Sequence, residues 1–346
     1  MKDKIRFGML GCGRIATAHF KAISELGDRC EITAVCDSDM ERAREAAEAT
    51  GARPYTSYEK MLEDGGFDVV IITTPSGLHP EQGIKAAKAG CHVVTEKPMG
   101  LTLESVDDLI RTCDRENKHL FVIKQNRLCQ SMQLLKHAIE LNRFGRIYFS
   151  QVNVFWTRPQ DYYDAAKWRG TWEFDGGAFM NQASHYIDLM YWLVGEVDHV
   201  EAITGTLARK IETEDTGAAI LRFRNGAIGS INVTMLTYQK NFEGSITILG
   251  EKGTVKIGGK SLNNIEHWEF ADYNDDDRII IDSNYNLSAS AISQHGAYYK
   301  NVLDVLEGKS KDPVTDGRSG RKAMELILAI NKSAREGCKV PLPLEK

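Results

Sequence analysis

The sequence predicts an α/β chain in two parts: a doubly wound parallel sheet at the N-terminal end, then an α+β region with a large, mostly antiparallel open sheet. Three observations carry this reading. Short apolar runs alternate with helical patterns from Ile5 to Ile123, which builds a parallel sheet with helices on both faces. Beyond Arg146 the apolar runs lengthen, alternate with polar residues and are joined by turn signals such as Arg224-Asn225-Gly226 and Gly250-Glu251-Lys252-Gly253, the pattern of an antiparallel sheet with one face free. The 346 residues are too many for one average domain and enough for two. The boundary is expected near 124–130. This places a first domain over 1–125 and a second over 126–346, with C-terminal helices able to pack back on the first.

Composition narrows the function classes. Hydrophobic residues make up 42% and charged residues 26%, so a full-sized core is possible. A net charge of −5 and a pI near 6.0 leave no basic footprint for nucleic acid. The seven cysteines are odd in number and scattered, with no CxxC pair. That argues against a disulfide framework or a zinc site and fits a reducing cytoplasm. No signal-peptide core precedes Ile5, and no apolar run approaches the ~18 residues of a membrane span.

The first strand is Ile5 to Leu10. The sequence Gly11-Cys12-Gly13-Arg14-Ile15-Ala16 follows, a GxGxxA opening a helix that runs to about Leu26. Glycines are needed there because the backbone must turn tightly and approach a pyrophosphate, and Ala16 is small enough for helix–strand packing. The helix N-terminus offers N–H groups and partial positive charge to phosphates. The second strand, Glu31 to Cys36, ends at Asp37. A carboxylate there accepts hydrogen bonds from the adenosine ribose and repels a 2′-phosphate, which points to NAD over NADP; the other use of Asp37 is to cap the helix from Asp39 to Thr50. Ser57 caps a short helix, and Asp68 to Thr73 is a buried strand. Its end carries the loop Thr74-Pro75-Ser76-Gly77-Leu78-His79, with Thr74, Ser76 and His79 as candidate cofactor contacts. A helix covers Pro80 to Ala89.

The next strand, Cys91 to Val94, runs into Thr95-Glu96-Lys97-Pro98. Pro98 cannot donate to a sheet ladder, so the strand stops there. Lys97 then stands at the carboxyl end of a strand, where open α/β sheets bind ligands. Thr102 opens a helix to about Asn117, and the strand His119 to Ile123 ends at Lys124-Gln125-Asn126-Arg127. Gln125 joins Glu96 and Lys97 in the cofactor set.

After a helix near Cys129–Leu141, strands are expected at 146–156, 200–206, 216–223, 229–237, 245–249 and 254–257. Between the first two lies a segment rich in Trp, Tyr and Arg: Trp156-Thr157-Arg158-Pro159-Gln160, Tyr162-Tyr163, Trp168-Arg169-Gly170-Thr171-Trp172, then Asp175-Gly176-Gly177. A helix from Ala178 to Leu189 follows. Asn181, His185 and Asp188 are spaced i, i+4, i+7 and share a face. Histidine is the side chain best suited to take a hydroxyl proton near neutral pH; a core histidine satisfied by Asp188 is the structural alternative. Asparagine is a poor transition-metal ligand, so no metal site is expected. Asn274-Asp275-Asp276-Asp277 reads as a solvated loop. Helices are expected at 293–307 and 319–335.

Taken together, GxGxxA at Gly11, Asp37, Glu96-Lys97-Pro98 and the Gly-Gly-x₇-His-x-x-Asp run from Gly176 to Asp188 resemble the glucose–fructose oxidoreductase/inositol dehydrogenase (Gfo/Idh/MocA) family over nearly the whole chain. The resemblance implies a Rossmann domain with NAD, an α+β domain whose open sheet forms oligomer contacts (a homotetramer), a catalytic lysine at Lys97 and a catalytic histidine at His185. The family has aspartate four residues before that histidine; here it is Asn181. The segment from Trp156 to Trp172, with Met180-Asn181-Gln182, is similar to the UDP-N-acetylglucosaminuronate 3-dehydrogenases of bacterial surface-polysaccharide (O-antigen) synthesis. Their ketone product passes to an aminotransferase. That likeness implies substrate contacts from Arg127, Arg158, Tyr163, Asn181 and Ser184 beside Lys97 and His185, and cofactor contacts from Trp168 and Arg169. It leaves open whether NADH is released or reoxidised in place by a second substrate such as 2-oxoglutarate. Two rivals remain: a dehydrogenase of a free polyol such as an inositol, and a dinucleotide-binding regulator without turnover.

Overall fold

Residues 4–259, 262–287 and 292–345 are described by a computed structural model. They divide into two compact units, Met1–Gln125 with Ala289–Arg321 and Asn126–Ser288 with Lys322–Lys346.

In the first unit the apolar runs become strands because they are β-branched and short. β1 (Ile5–Leu10), α1 (Ala16–Ser24), β2 (Cys30–Cys36), α2 (Met40–Thr50), β3 (Arg53–Tyr55), α3 (Tyr58–Asp64), β4 (Val69–Ile72), α4 (His79–Lys88), β5 (His92–Thr95), α5 (Leu103–Arg115) and β6 (Leu120–Val122) alternate in order. The sheet runs β3-β2-β1-β4-β5-β6 and every pair is parallel. Strand order reverses between β1 and β4, the switch point at which such sheets bind ligands. All four residues of β4 are buried, as expected for a strand covered on both faces. α3 and α5 start where the sequence places capping side chains: Ser57 accepts from the Lys60 N–H, Thr102 from Ser105. β3 carries no apolar run and contains Pro54; it holds an edge position, where a missing N–H costs nothing.

The second unit contains α6 (Gln130–Glu140), β7 (Ile147–Phe155), α7 (Gln160–Asp164), α8 (Ser184–Val194), β8 (Val197–Gly205), β9 (Thr216–Phe223), β10 (Ile228–Thr234), β11 (Glu243–Gly250), β12 (Gly253–Gly258), β13 (Asn264–Phe270) and α9 (Asp275–Asp282). Its eight-stranded sheet runs β13-β12-β11-β7-β10-β9-β8, closed at one edge by Val340–Pro341. All described pairs are antiparallel except β7 with β10. Val152, Val154, Ile231, Val233, Ile246 and Ile248 are fully buried or nearly so, while Ile203 and Ile220 are exposed, so one face carries the core. The acidic run predicted as a loop is a helix start. The Asn274 side chain caps α9 in a reciprocal box with Asp277, and Asp277 pairs with buried Arg143.

The chain then leaves the second unit. α10 (Gln294–Leu306) belongs to the first, the 20-residue α11 (Gly317–Glu336) starts there and ends in the second, and β14 (Val340–Pro341) follows. Residues 292–321, part of the stretch whose helices were expected to be able to pack back on the first domain, cluster with the first unit. Two buried hydroxyls fasten them: the Tyr298 and Thr315 side chains both donate to the Val122 carbonyl at 2.6 Å. Among the described residues no helix is long and apolar enough to cross a membrane.

Candidate active site

One group of candidate residues lies at the carboxyl ends of β1, β2, β4 and β5. Gly11 has φ +95°, and a Cβ there would come within 2.9 Å of the Thr73 carbonyl carbon, so only glycine makes this turn. A Cβ on Gly13 would meet nothing within 4 Å; that open space lets a ligand reach the backbone. Ala16 is fully buried, while Arg14 and Ile15 are exposed. Asp37 sits one residue beyond β2. Its Oδ2 accepts the Cys12 N–H at 2.8 Å and its Oδ1 the Asp39 N–H at 2.9 Å. Asp39, not Asp37, caps α2 by accepting from Glu41. Glycine turn and carboxylate therefore form one cradle, and its residues fit a dinucleotide.

The loop after β4 differs in part from expectation. Thr74 is half-buried and its hydroxyl donates to the Gln82 side chain; Ser76 is buried. His79 is 1% exposed, with Nδ1 2.8 Å from the Pro98 carbonyl and Nε2 2.8 Å from the Thr74 carbonyl. Both ring nitrogens thus stand at hydrogen-bond distance from backbone carbonyls, and His79 ties the β4 loop to the β5 loop. Burial holds its pKa below the usual imidazole value, against the pull of the two carbonyls.

Lys97 is half-buried just beyond β5. Its backbone N–H donates to Glu96 Oε2 at 2.9 Å. Glu96 itself is buried and turns inward to His19, an environment that nothing local in the sequence announces. Gln125 is half-buried, and its side-chain Oε1 is a buried atom with no hydrogen-bond partner among the described residues.

A second group of candidate residues, in the second unit, is built around α8. The expected single helix from Ala178 is interrupted: Ala178–Gln182 is a π turn, and α8 starts at Ser184. Gly176 and Gly177 precede it with φ of 77° and 94°. The Glu214 carboxylate occupies the space a Cβ on Gly177 would need, with Oε2 only 2.1 Å from that point, and Glu214 Oε1 accepts the Phe179 N–H at 3.0 Å. A carboxylate at a helix start is favourable, but this one is 3% exposed. Burial, with nearby Asp175 adding, pushes its pKa up to about 7. The Asn181 amide donates to Asp175, which also accepts the Gly170 N–H. His185 is half-buried in the first turn of α8 and Ser184 is buried.

Asp188 is engaged by Arg127. Both its oxygens accept from Arg127, from Nε and NH2 at 2.8 Å each, and both side chains are nearly inaccessible. Arg127 is therefore half of a buried ion pair. Tyr163 is likewise buried, its phenol held un-ionised by burial. Arg158 remains half-buried at the mouth of the aromatic segment, its guanidinium over the Trp156 and Tyr162 rings and donating to Thr157 and Asn241. Arg169 lies over Tyr162 and Trp168 and donates to the Tyr162 carbonyl at 2.6 Å. The sequence reading missed Arg209, whose Nε donates to the Arg158 carbonyl at 2.7 Å from 51 residues away.

A dinucleotide cradle with a lysine two strands along the sheet, and a histidine-bearing helix in a second α/β unit, agree with two family models. The oxidoreductase family NAD-binding Rossmann fold matches residues 5–124, and the oxidoreductase family C-terminal alpha/beta domain matches 136–342. The chain belongs to the Gfo/Idh/MocA oxidoreductase family. It is an NAD-dependent oxidoreductase by that membership. It is similar to the WlbA dehydrogenase from Bordetella pertussis in complex with NADH and UDP-GlcNAcA, with 55% identity, a TM-score of 0.96 and coverage of 100% of this chain and 99% of that one. The WlbA dehydrogenase from Chromobacterium violaceum, in complex with the same two ligands, is 54% identical with a TM-score of 0.94, covering 100% and 98%. Myo-inositol 2-dehydrogenase of Thermotoga maritima is 29% identical over 260 residues, 72% of this chain and 74% of that protein.

Proposed function

We propose that the protein oxidises the C3 hydroxyl of UDP-N-acetylglucosaminuronate to the 3-keto sugar with NAD. The observation that carries this reading is the likeness, at 55% identity over the full chain, to an enzyme captured with NADH and UDP-GlcNAcA. NAD, when bound, supplies the hydride acceptor; the protein binds, orients and moves the proton. Gly11, Gly13 and Asp37 hold the dinucleotide. His185 takes the hydroxyl proton, and the Lys97 ammonium hydrogen-bonds the same oxygen and stabilises its developing negative charge. Arg158 binds the diphosphate or the carboxylate, both matched by a guanidinium fork. Asn181, with its amide committed to Asp175, orients substrate through its carbonyl and moves no proton.

In this reading the enzyme is a cytoplasmic homotetramer, its product feeds an aminotransferase, and NADH is either released or reoxidised in place by a second substrate such as 2-oxoglutarate. The deciding experiment incubates the protein with NAD and either UDP-N-acetylglucosaminuronate or myo-inositol and follows NADH, with 2-oxoglutarate present or absent. Reduction or 3-keto product with the sugar nucleotide, and inhibition by UDP, is expected. Turnover of myo-inositol with indifference to UDP would replace the reading with polyol oxidation.

A further inference from the structure

A buried polar chain ends at the backbone of Lys97. Glu96 is 7% exposed and its two oxygens do different things. Oε2 accepts the Lys97 N–H at 2.9 Å. Oε1 lies 3.2 Å from His19 Nε2 and 3.8 Å from His295 Nε2. His19 is fully buried, and its Nδ1 is 2.7 Å from the hydroxyl of Tyr299, also fully buried. The rings of His295 and Tyr299 both meet His19 edge to face. The three elements involved are far apart in sequence: α1, directly after the glycine turn, the end of β5, and α10.

Proton positions follow from the acceptors. Burial alone would raise the Glu96 pKa, yet His19, His295 and the charge of Lys97 hold it well below the usual carboxylate value. An ionised carboxylate only accepts, so the His19 proton sits on Nε2. Nδ1 stands at hydrogen-bond distance from the Tyr299 hydroxyl. Three contacts thus join the chain: Tyr299 with His19, His19 with Glu96 Oε1, and the Lys97 N–H with Glu96 Oε2. The same three side chains, His19, Glu96 and His295, place ligand atoms within 4.8 Å of one another. The hydrogen bonds account for the His19, Tyr299 and Lys97 contacts, while His295 Nε2, 3.8 Å from Glu96 Oε1, is a buried atom with no hydrogen-bond partner among the described residues.

We infer that His19 and Tyr299 are positioning residues for Lys97. They lock the Glu96 carboxylate, which in turn fixes the Lys97 backbone and keeps a negative charge beside its ammonium. This rests on the reading of Lys97 as the group that binds the reacting oxygen. It also links α1, which carries the dinucleotide turn at its start, to the lysine.

The test measures kcat, dissociation constants and the pH profile of kcat for His19→Ala, His19→Gln, Tyr299→Phe and Glu96→Gln. With a strut removed, kcat should fall about 10–100-fold in His19→Ala, the scale of a small misplacement of a catalytic group, while NAD and sugar-nucleotide dissociation constants stay within about threefold. His19→Gln, which can offer an amide N–H to Oε1, should recover part of the loss. In Glu96→Gln the alkaline limb of the profile should move to lower pH by about one to three units, because an ammonium without its neighbouring anion deprotonates earlier. Unchanged kcat and an unmoved alkaline limb in these variants, with Lys97→Ala inactive, would overturn the inference and leave the reading of Lys97 intact. An active Lys97→Ala would instead remove that reading. Should His19→Ala not fold, Glu96→Gln and Tyr299→Phe, both close to the native shape, carry the same criteria. One equivalent of metal in the purified protein, lost in His19→Ala, would also overturn the relay.

Discussion

Asp37 holds two backbone N–H groups, one per oxygen, and each oxygen keeps a second lone pair for a ribose hydroxyl. A 2′-phosphate would bring like charge against that carboxylate. NADP should therefore bind about 10–100-fold more weakly than NAD; calorimetry on both cofactors checks this, and equal affinity would remove the role given to Asp37. Arg158 and Arg127 show what one residue's sequence neighbourhood hides. Each is an arginine in a polar stretch, and the sequence reading gave both to an anion. The structure separates them by partners 61 and 83 residues away. Arg127 spends its fork on Asp188, whereas Arg158 rests on aromatic faces and on Asn241. Arg158→Ala should weaken sugar-nucleotide binding by about 1.5–3 kcal/mol, the worth of a charge-assisted hydrogen bond, with NAD affinity unchanged in the same titrations. Arg127→Ala should act on stability instead. Stranding buried Asp188 costs about 3–5 kcal/mol, visible in a denaturant midpoint even before any substrate is added.

At the scale of elements, strands were legible wherever apolar runs were β-branched, and helices wherever an apolar periodicity ran through them; α9, capped by Asn274 but acidic in its first turn, was not. β13 (Asn264–Phe270) was not, because its half-exposed residues include two glutamates and a histidine and only pairing with β12 specifies it. The π turn was not legible either, since its cause, Glu214, lies 37 residues beyond Gly177 in the chain. That carboxyl makes a pH prediction with a definite sign. Its folded pKa is about 7 against an ordinary 4.5, so between those values the folded state holds a proton that the unfolded state has released. Stability from this group is full below pH 4.5, falls as pH rises and is lost above 7, a change of about 3 kcal/mol. Glu214→Gln keeps the hydrogen bond acceptor for Phe179 and removes the titration. Urea unfolding at pH 5 and pH 8 should show the native protein losing about 3 kcal/mol more than the variant across that interval; equal losses would mean Glu214 titrates normally.

On the scale of the whole molecule, the first unit was readable because its function demands local signatures: a glycine turn, a strand-end acid and a strand-end Lys-Pro. What could not be read was which side chains hold α10 to that unit, since Tyr298 and Tyr299 look like any amphipathic helix until Val122 and His19 are seen against them. The proposed chemistry spans the chain, with Lys97 in one unit and His185 in the other. If both act on one substrate oxygen, Lys97→Ala and His185→Ala should each lower kcat by about 10²–10⁴, the range for losing a positioned acid–base group. Substrate and NAD should still bind, because Asp37, the glycine turn and Arg158 are untouched. The double variant should be little worse than the worse single one, since groups serving one transition state are not additive. Multiplicative losses would mean that the two side chains serve separate steps. A His185→Ala enzyme that keeps most of its kcat near neutral pH, with a primary deuterium isotope effect at C3 showing hydride transfer still limiting, would falsify the role of His185. The hydroxyl proton would then leave to Lys97 in its neutral form or to water. In that case the pH dependence of kcat should invert, rising through the lysine's titration instead of falling.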